Sequence, residues 1–478
     1  MKRRAATGAL AAVFALPVGQ VFAMSLVEAY QAALQNDPVY QSAVHDNEAG
    51  QQNRAIGRSY LLPNIGFSYA KYKNRADITQ PNIFGQTSTS QPEYDSKSAS
   101  VNLRQPLFSL DSYARYKQGA AQADYSDAVF SSRGQDLLQR LVGAYADAKF
   151  AEDQLALVTA QRNTLDEQRK ANERMFQKGE GTKTDMLETQ ARYDLAEAQL
   201  LESRNNLASA RNALAAIVGV DVNDLDQLRD DFKVKLLQPG TFEEWKTIAL
   251  DRNPDLAAQR YYVEASRQEV TKQRAGHAPR IDFVASYSKG MSETLTTLNQ
   301  ESTNRTIGVQ LSMPIYAGGG VSASTSQAVA GLEKAKSDLE AKTKQLMVEL
   351  RKQYDAVTSG AARIEASEKS VKSAELLVTA TEQSVKGGVR INLDVLNAQQ
   401  QLFTARRDLA QARYNYIVAY LRLHTAAGTL TSDVLNDVAK YFVPGSGAKV
   451  ADAATLSPFV RTAVLAKPAA AVNAGKAE

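Results

Sequence analysis

The sequence has 478 residues, enough for two or more ordinary domains, and its 56 Lys and Arg residues nearly balance 52 Asp and Glu residues, for a formal net charge of +4. This composition excludes a strongly basic chain of the kind that binds nucleic acid. The absence of cysteine excludes disulfides, thiolate metal sites and lipid attachment through an N-terminal cysteine.

Residues 1–23 have the pattern of a secretory signal peptide. Residues 2–4 are basic, residues 9–18 form a short apolar segment, and the Val-Phe-Ala of residues 21–23 fits a cleavage site. We expect export and cleavage after Ala23. The loss of the three basic residues leaves a formal charge of about +1 and no global preference for nucleic acid or anionic lipid. An ordinary buried helix is the less favoured alternative because of the flanking residues.

The two halves of the remaining sequence resemble each other in the same order and at nearly constant spacing. Residues 62–67 (LPNIGF) correspond to 278–283 (APRIDF), and residues in 179–219 correspond to residues in 388–428. Such order indicates an internal duplication. The predicted organisation is a first repeat at 24–219, a linker at 220–240, a second repeat at 241–428 and a C-terminal tail at 429–478.

Each repeat is predicted to contain a helix, a strand pair, a long helix, a turn and a second helix. The strand pairs fall at residues 64–108 and 280–316, and prolines mark the junctions between helices and strands at positions 63, 106, 279 and 314. Proline fixes φ and lacks an N–H, so it ends one element and starts another.

Apolar and polar residues alternate along the predicted strands, as in Ile65, Phe67 and Tyr69 and again in Ile307, Val309 and Leu311. No apolar run after residue 23 approaches the length of a membrane helix, so only strands offer this chain a way across a bilayer. The alternation predicts transmembrane strands with apolar residues outward and polar residues inward. Residues 73–96 and 291–303, rich in Thr, Asn, Gln and Ser, are expected to be extracellular loops. A half-buried soluble hairpin is the alternative.

Four strands are too few to close a membrane barrel, because known barrels begin at about eight strands and open edges are not tolerated in hydrocarbon. We therefore expect copies of the chain to pool their strands. Three copies, a homotrimer, give a barrel of twelve strands.

The segments 109–178 and 317–386 contain no proline and carry helical patterning, so each is predicted to span on the order of 100 Å. Apolar residues recur every seven positions, which predicts supercoiling against neighbouring helices. One run consists of Leu350, Val357, Ile364, Val371, Val378 and Val385. The fold class is therefore an α+β membrane protein in which four transmembrane strands per chain join a long α-helical coiled-coil barrel.

The chain resembles the TolC family of outer-membrane efflux proteins over about residues 25–430. The resemblance is carried by residues 387–430 (GGVRINLDVLNAQQQLFTARRDLAQARYNYIVAYLRLHTAAGTL), by 178–194 (KGEGTKTDMLETQARYD) and by 313–320 (MPIYAGGG). It implies a passive exit duct of the outer membrane whose helical barrel projects into the periplasm. Such a duct lies in outer-membrane lipid and works with a periplasmic adaptor and an inner-membrane ABC or RND-type transporter, in type I protein secretion or in small-molecule efflux.

The resemblance also implies a gate at the periplasmic tip. By position, Arg390 is expected to bond to Asp185 or to the neighbouring Thr184, and Asp394 matches a family carboxylate that forms a threefold cation-attracting ring. The residues alone leave a simpler role open for both aspartates, because each opens a helix where a carboxylate interacts favourably with the helix dipole.

Two positions depart from the family pattern at this gate. Asn397 stands where the family has a second ring carboxylate, and Val385 stands where the family has a tyrosine link. These departures predict a weaker cation trap and fewer polar ties at the tip.

The turns at the tip are implied to be the docking sites of the adaptor. They comprise Gly179, Glu180, Gly181, Gly387, Gly388 and Val389. Glycine after a long helix is equally expected for conformational reasons, since it adopts a positive φ without strain.

No enzyme site is evident in the sequence. The three histidines, at positions 45, 277 and 424, have no metal-ligand spacing, and the glycines at 318–320 lack both the P-loop and the dinucleotide patterns. We therefore expect no catalytic residues, cofactor, metal or nucleic-acid partner. The main alternative to a duct is a soluble periplasmic coiled-coil scaffold, which the heptads alone would also fit. In the tail, residues 435, 438 and 442 can pack on a belt formed by the linker, and disorder is expected beyond Pro444.

Overall fold

The computed structural model describes residues 24–81, 83–222, 224–235, 237–294 and 297–443. The expected signal peptide, residues 1–23, and the part of the tail expected to be disordered lie outside the described residues.

The first repeat contains two short helices, two long strands joined by a small hairpin, and two long helices. Their bounds are α1 Leu26–Asn36, α2 Pro38–Ser59, β1 Asn64–Arg75, β2 Ile78–Pro81, β3 Thr87–Ser90, β4 Glu93–Phe108, α3 Leu110–Gln177 and α4 Lys183–Val218.

The second repeat follows a short strand and has the same order. Its elements and the tail are β5 Gln227–Leu228, α5 Phe242–Arg252, α6 Pro254–Arg274, β6 Arg280–Thr294, β7 Thr297–Ser312, α7 Gly320–Lys386, α8 Asn392–Ala427, α9 Ser432–Ala439 and β8 Phe442–Val443.

The helix that opens each repeat is broken in two at a proline. Asp37 caps α2 by accepting a hydrogen bond from the Tyr40 N–H at 3.0 Å, and Pro38 takes the first helical position. Asn253 and Pro254 do the same for α6. Proline is favoured at this position because the N–H groups of the first helical turn have no acceptor within the helix, so the N–H that proline lacks is not missed.

The four long strands form one antiparallel sheet in the order β1-β4-β6-β7. β4 and β6 pair directly, so the central contact of the sheet joins the two repeats, with Val101 opposite Tyr287. One face exposes an apolar band. Phe67 is 71% exposed and Ile307 is 78% exposed, as expected for residues that face outward.

The prediction of a loop at residues 291–303 is wrong. β6 continues to Thr294 and β7 begins at Thr297, with Met291 paired to Glu301. The expected loop at 73–96 likewise contains strand residues at both ends and the small hairpin of β2 and β3. Threonine and serine make these segments polar, but β-branched threonine also favours extended backbone, so polarity alone did not distinguish strand from loop.

The long helices pack in pairs, α3 with α4 and α7 with α8. α3 has 68 residues, so it extends for about 100 Å. The expected heptad core is present at Leu350, Val357 and Ile364. Nearer the turn, the buried positions of α7 change to Ala374 and Thr381, while Val371 and Val378 are only half-buried. Small residues at the contact allow neighbouring helices to approach closely.

The largest hydrophobic core lies midway along the long helices, where the linker and the tail wrap around them. Trp245, Tyr145 and Tyr416 are among its fully buried side chains, and β5 pairs with β8 at its edge. The tail residues expected to pack here, Leu435, Val438 and Phe442, are buried.

The same core fixes the first described residues. The Tyr145 hydroxyl donates to the Met24 carbonyl and accepts from the Asp226 N–H, both at 3.0 Å. Burial lowers the pKa of His424 to about 4, so this core histidine is neutral at pH 7. Among the described residues, none of the helices is both long and apolar enough to cross a bilayer.

Candidate functional site at the helical tip

Both long helices reverse direction through short turns that have the same geometry. Gly179 follows α3 with φ of 77° and Gly388 follows α7 with φ of 74°. In the first turn the Glu180 N–H bonds to the Met175 carbonyl at 2.9 Å, and in the second the Val389 N–H bonds to the Ser384 carbonyl at 2.9 Å. These bonds satisfy carbonyls that the helix end leaves free, and the positive φ requires glycine.

Several apolar side chains at and beside the two turns are exposed to solvent. Val389 is 82% exposed, and Ile391, Met175 and Phe176 are also exposed. The predicted adaptor-docking residues therefore lie together on exposed turns, and their docking role remains a prediction.

The expected bond between Arg390 and Asp185 is absent from the single chain. The Asp185 N–H bonds to the Thr182 hydroxyl at 3.1 Å, and that hydroxyl donates to the Asp185 carboxylate at 2.5 Å. Thr182 is thus the cap of α4, and Asp185 lies in its first turn, where a carboxylate also interacts favourably with the helix dipole, the simpler role that the sequence left open. Among the described residues, no side-chain hydrogen bond or ion pair links Arg390 to Asp185 or to Thr184.

Asp394 and Arg390 lie on either side of the start of α8. Asp394 is half-buried in the first helical turn, where its N–H bonds to the Ile391 carbonyl at 3.1 Å, while Arg390 is exposed in the turn. A carboxylate in the first turn of a helix is stabilised by the helix dipole, so Asp394 also fulfils the simpler role.

A link that the sequence did not suggest joins the two helix pairs. The guanidinium of Arg192 on α4 donates to the side-chain oxygen of Asn397 on α8, with 2.7 Å between Nη2 and Oδ1. A carboxylate at position 397 would form an ion pair with Arg192, whereas the neutral amide accepts the hydrogen bond without compensating the arginine charge. The sequence pointed to this position through Asn397, which departs from the family pattern, but nothing in the sequence identified Arg192 as its partner.

Closer to the turns, a buried hydroxyl joins three helices. Thr189 on α4 is fully buried and donates to the Asp185 carbonyl at 2.8 Å. Its oxygen accepts from Asn172 on α3 at 2.8 Å and lies 3.5 Å from the amide nitrogen of Asn392 on α8. A buried polar group must be satisfied, so these side chains fix the relative positions of the helices at the tip.

One further layer of side chains lies farther from the tip. Gln161 on α3 donates to Gln400 on α8 at 2.7 Å, and Arg162 on α3 donates to Glu197 on α4 at 2.7 Å. The α3–α4 and α7–α8 pairs therefore meet through polar contacts at several heights, together with a small apolar cluster of Leu165, Ala196 and Leu396. Polar contacts between helices separate at lower cost than a continuous apolar core, because water can replace each bond.

Among the described residues, no group of three or more His, Asp or Glu side chains is arranged to hold a metal ion.

Three comparisons with known proteins agree with this geometry. The family described as outer membrane efflux protein matches residues 29–220 and 245–429. The chain is 41% identical to the alkaline protease secretion protein AprF of Pseudomonas aeruginosa, over 93% of this chain and 92% of that protein. It is 28% identical to the outer membrane protein TolC of Vibrio cholerae, over 87% and 94% of the two chains.

The fold is shared with solved structures as well. The outer membrane protein VceC of Vibrio cholerae superposes with a TM-score of 0.72 at 19% identity, over 84% of this chain and 96% of that one.

These matches confirm the resemblance and the α+β membrane fold inferred from the sequence. The sheet lies in the outer membrane, the long helices extend into the periplasm, and the chain is the outer-membrane exit duct of a tripartite export system. The chain belongs to the outer membrane efflux protein family, the family of TolC.

Proposed function

We propose that three copies of this chain close into one duct that carries polypeptides out of the cell by type I secretion. The sheets of the three copies form a barrel of twelve strands, and their long helices form an α-helical barrel that leads from the inner membrane side to the sheet.

The four-stranded sheet of the described residues, with its two unpaired edges, is the observation that supports assembly of several copies. In the described part of the chain the sheet ends at β1 and β7, whose outer edges have no partner strand, and its outward face is apolar. Unpaired backbone groups are not tolerated in hydrocarbon, so β7 of one copy must pair with β1 of the next. Three sheets of four strands satisfy every edge.

The type of cargo is suggested by the relatives. Identity to AprF, whose name describes secretion of an alkaline protease, is 41%, whereas identity to TolC of Vibrio cholerae is 28%. We infer that this duct exports a protein of the protease class and that its inner-membrane partner is an ABC transporter joined to it by a periplasmic adaptor that docks on the exposed turns.

The gate belongs to the assembled trimer. Arg390 is exposed in the turn and makes no side-chain hydrogen bond or ion pair with the described residues of its own chain, and Asp394 lies in the first turn of α8 just after it. In a trimer the tips of neighbouring copies meet around the axis. We infer that Arg390 then reaches Thr184 or Asp185 of the adjacent copy, while Asp394 contributes to a ring of three carboxylates at the constriction.

The experiment is a secretion assay in a strain from which the gene has been deleted. Supplying the wild-type chain should restore export of the secreted protease, and Val389→Asp should not, because a new charge on the exposed turn disrupts adaptor docking. The control is Lys344→Gln, which changes the net charge by the same single unit at an exposed position of α7 far from the turns. Full protease secretion without this chain, with drug sensitivity as the only defect, would contradict the proposed cargo.

A further inference from the structure

A row of cations lies on the outward face of the sheet, immediately beyond its apolar band. On each of the four strands, the first outward side chain past the band on the side away from the helices is a lysine or an arginine. The four cations are Lys71 on β1, Lys97 on β4, Lys289 on β6 and Arg305 on β7.

Strand pairing places all four on one face. Lys71 lies directly opposite Lys97, Lys289 lies opposite Ala99, and Arg305 lies opposite Tyr287. Directly paired residues share a face of the sheet, and Val101 of the apolar band lies opposite Tyr287 on that same face.

Lys71 and Lys97 are level in the register, and from β4 to β7 the row runs diagonally, as does the end of the apolar band. The last apolar residues of the band, which the cations follow one by one, are Tyr69, Ala99, Tyr287 and Ile307. Strands of membrane barrels are tilted by about 35–45°. A tilt of this size corresponds to an offset of about one or two residues between neighbouring strands, so the four cations lie at a similar depth in the bilayer.

The opposite end of the band has no such row. Toward the helices, the outward face continues with Gln105, Ile281 and Leu311, while Arg104 and Arg280 lie on the inner face, where both bond to Asp282. Since the helices extend into the periplasm, the cations are at the level of the outer leaflet.

The cations are only partly neutralised by the protein. The Lys71 ammonium is 3.7 Å from Asp95 and the Lys289 ammonium is 3.4 Å from Glu301, both exposed pairs that contribute little to stability. Among the described side chains, no carboxylate is within ion-pair distance of Lys97 or Arg305. The guanidinium of Arg305 lies over the ring of Tyr287, 5.8 Å from its centre, which holds it at the edge of the band.

The direct pairing of Lys71 with Lys97 points to a ligand. Like charges directly opposite each other on a sheet are destabilising, and an anion between them removes that cost. At this depth the available anions are lipid headgroups. We propose that the cation row binds the phosphate groups of anionic glycolipids in the outer leaflet of the outer membrane.

The test uses the assembled protein purified in detergent and native mass spectrometry to count bound lipid. The probes are diphosphorylated lipid A and the same lipid with its phosphates removed. The test variant carries four substitutions: Lys71→Gln, Lys97→Gln, Lys289→Gln and Arg305→Gln. The control carries the same charge change on exposed positions of α7: Lys334→Gln, Lys344→Gln, Lys352→Gln and Lys369→Gln.

We expect the test variant to lose at least tenfold in affinity for the diphosphorylated lipid, and the control to change by less than about twofold, since each lysine or arginine near a charged surface contributes about fivefold. Equal affinity of the wild-type protein for both lipids, or an unchanged test variant, would overturn the proposal. Displacement of the lipid by inorganic phosphate at equal concentration would identify a small-anion site and would overturn it too.

If the fourfold variant fails to assemble, Lys97→Gln and Lys97→Arg decide the matter: the first should weaken binding about fivefold and the second should keep it. Identical losses in the two would contradict a role for the charge. Lipid binding and secretion are measured separately, so a failure here leaves the exit duct untouched.

Discussion

At the scale of single residues, the tip is held by hydrogen bonds that a few side chains make between helices. Arg192 and Asn397 join α4 to α8, and Thr189 joins the same helices nearer the turns. The sequence identified Asn397 as a gate position but did not identify Arg192 as its partner. An arginine on a helix is ordinarily solvated, and Asn397 is more than two hundred positions away from Arg192. It also assigned Asp185 to a bond with Arg390 that the Thr182 cap replaces within the chain.

Removal of either arginine should loosen the closed tip. In planar bilayers, Arg192→Ala should raise the single-channel conductance because it removes the bond to Asn397, and Arg390→Ala should raise it because it removes the proposed bond to the adjacent copy. A hydrogen bond to a charged group contributes about 1.5–3 kcal/mol. Arg204→Ala, on the exposed side of the same helix as Arg192, is the control and should conduct like the wild type. An unchanged conductance in Arg390→Ala would remove that residue from the gate.

The buried Asp226 makes stability depend on pH. Burial raises its pKa to about 6, the nearby Glu28 adds to the rise, and Lys149 opposes it. The folded chain therefore keeps a proton that the unfolded chain releases between about pH 4 and pH 6, so this residue contributes stability at low pH that is lost as the pH rises through 6.

Asp226→Asn should mimic the protonated form. We expect its melting temperature to exceed that of the wild type at pH 8, by the equivalent of about 2 kcal/mol, and the gain to shrink to less than about 1 kcal/mol at pH 4. Asp224→Asn, at an exposed position, should have no such effect. A gain for Asp226→Asn that is the same at both pH values would show that charge is not its cause.

At the scale of elements, the order of helices and strands could be read from the sequence because each leaves a periodic signal. The alternation in β1 and β7 and the heptads of α7 are examples, and the prolines at 38 and 254 begin helices. The limits of the strands were harder. Residues 291–294 and 297–303 are mostly polar, yet their backbones belong to the paired strands β6 and β7. The change of the α7 contact to Ala374 and Thr381 follows from a neighbouring helix that the local pattern does not describe.

A charge placed on the outward face of the sheet should prevent membrane insertion, and the same substitution on the inner face is the control. Phe67→Lys places a charge in the apolar band and should cost about 2–4 kcal/mol, enough to prevent stable membrane insertion. Ser68→Lys, one residue along and on the face where the Ser68 and Ser100 hydroxyls lie 2.8 Å apart, should insert normally. Outer-membrane fractionation of both variants provides the comparison, and equal insertion would show that the band does not face lipid.

At the scale of the whole molecule, one core midway along the helices ties the linker, the tail and both repeats together. Trp245 and Tyr145 lie in it, and the first described residue is bonded to it. The sequence indicated where these segments would gather, because the breaks in the helices fall at matching places in the two repeats. It could not give the contacts between copies, since those belong to pairs of surfaces in different chains.

The most direct measurement of the central claim is the mass of the complex extracted from the outer membrane, determined by light scattering with the contribution of detergent subtracted. The account predicts a single species of three chains that requires detergent and forms a conducting pore when it is reconstituted. A stable species of one chain that remains soluble in buffer without detergent would contradict it.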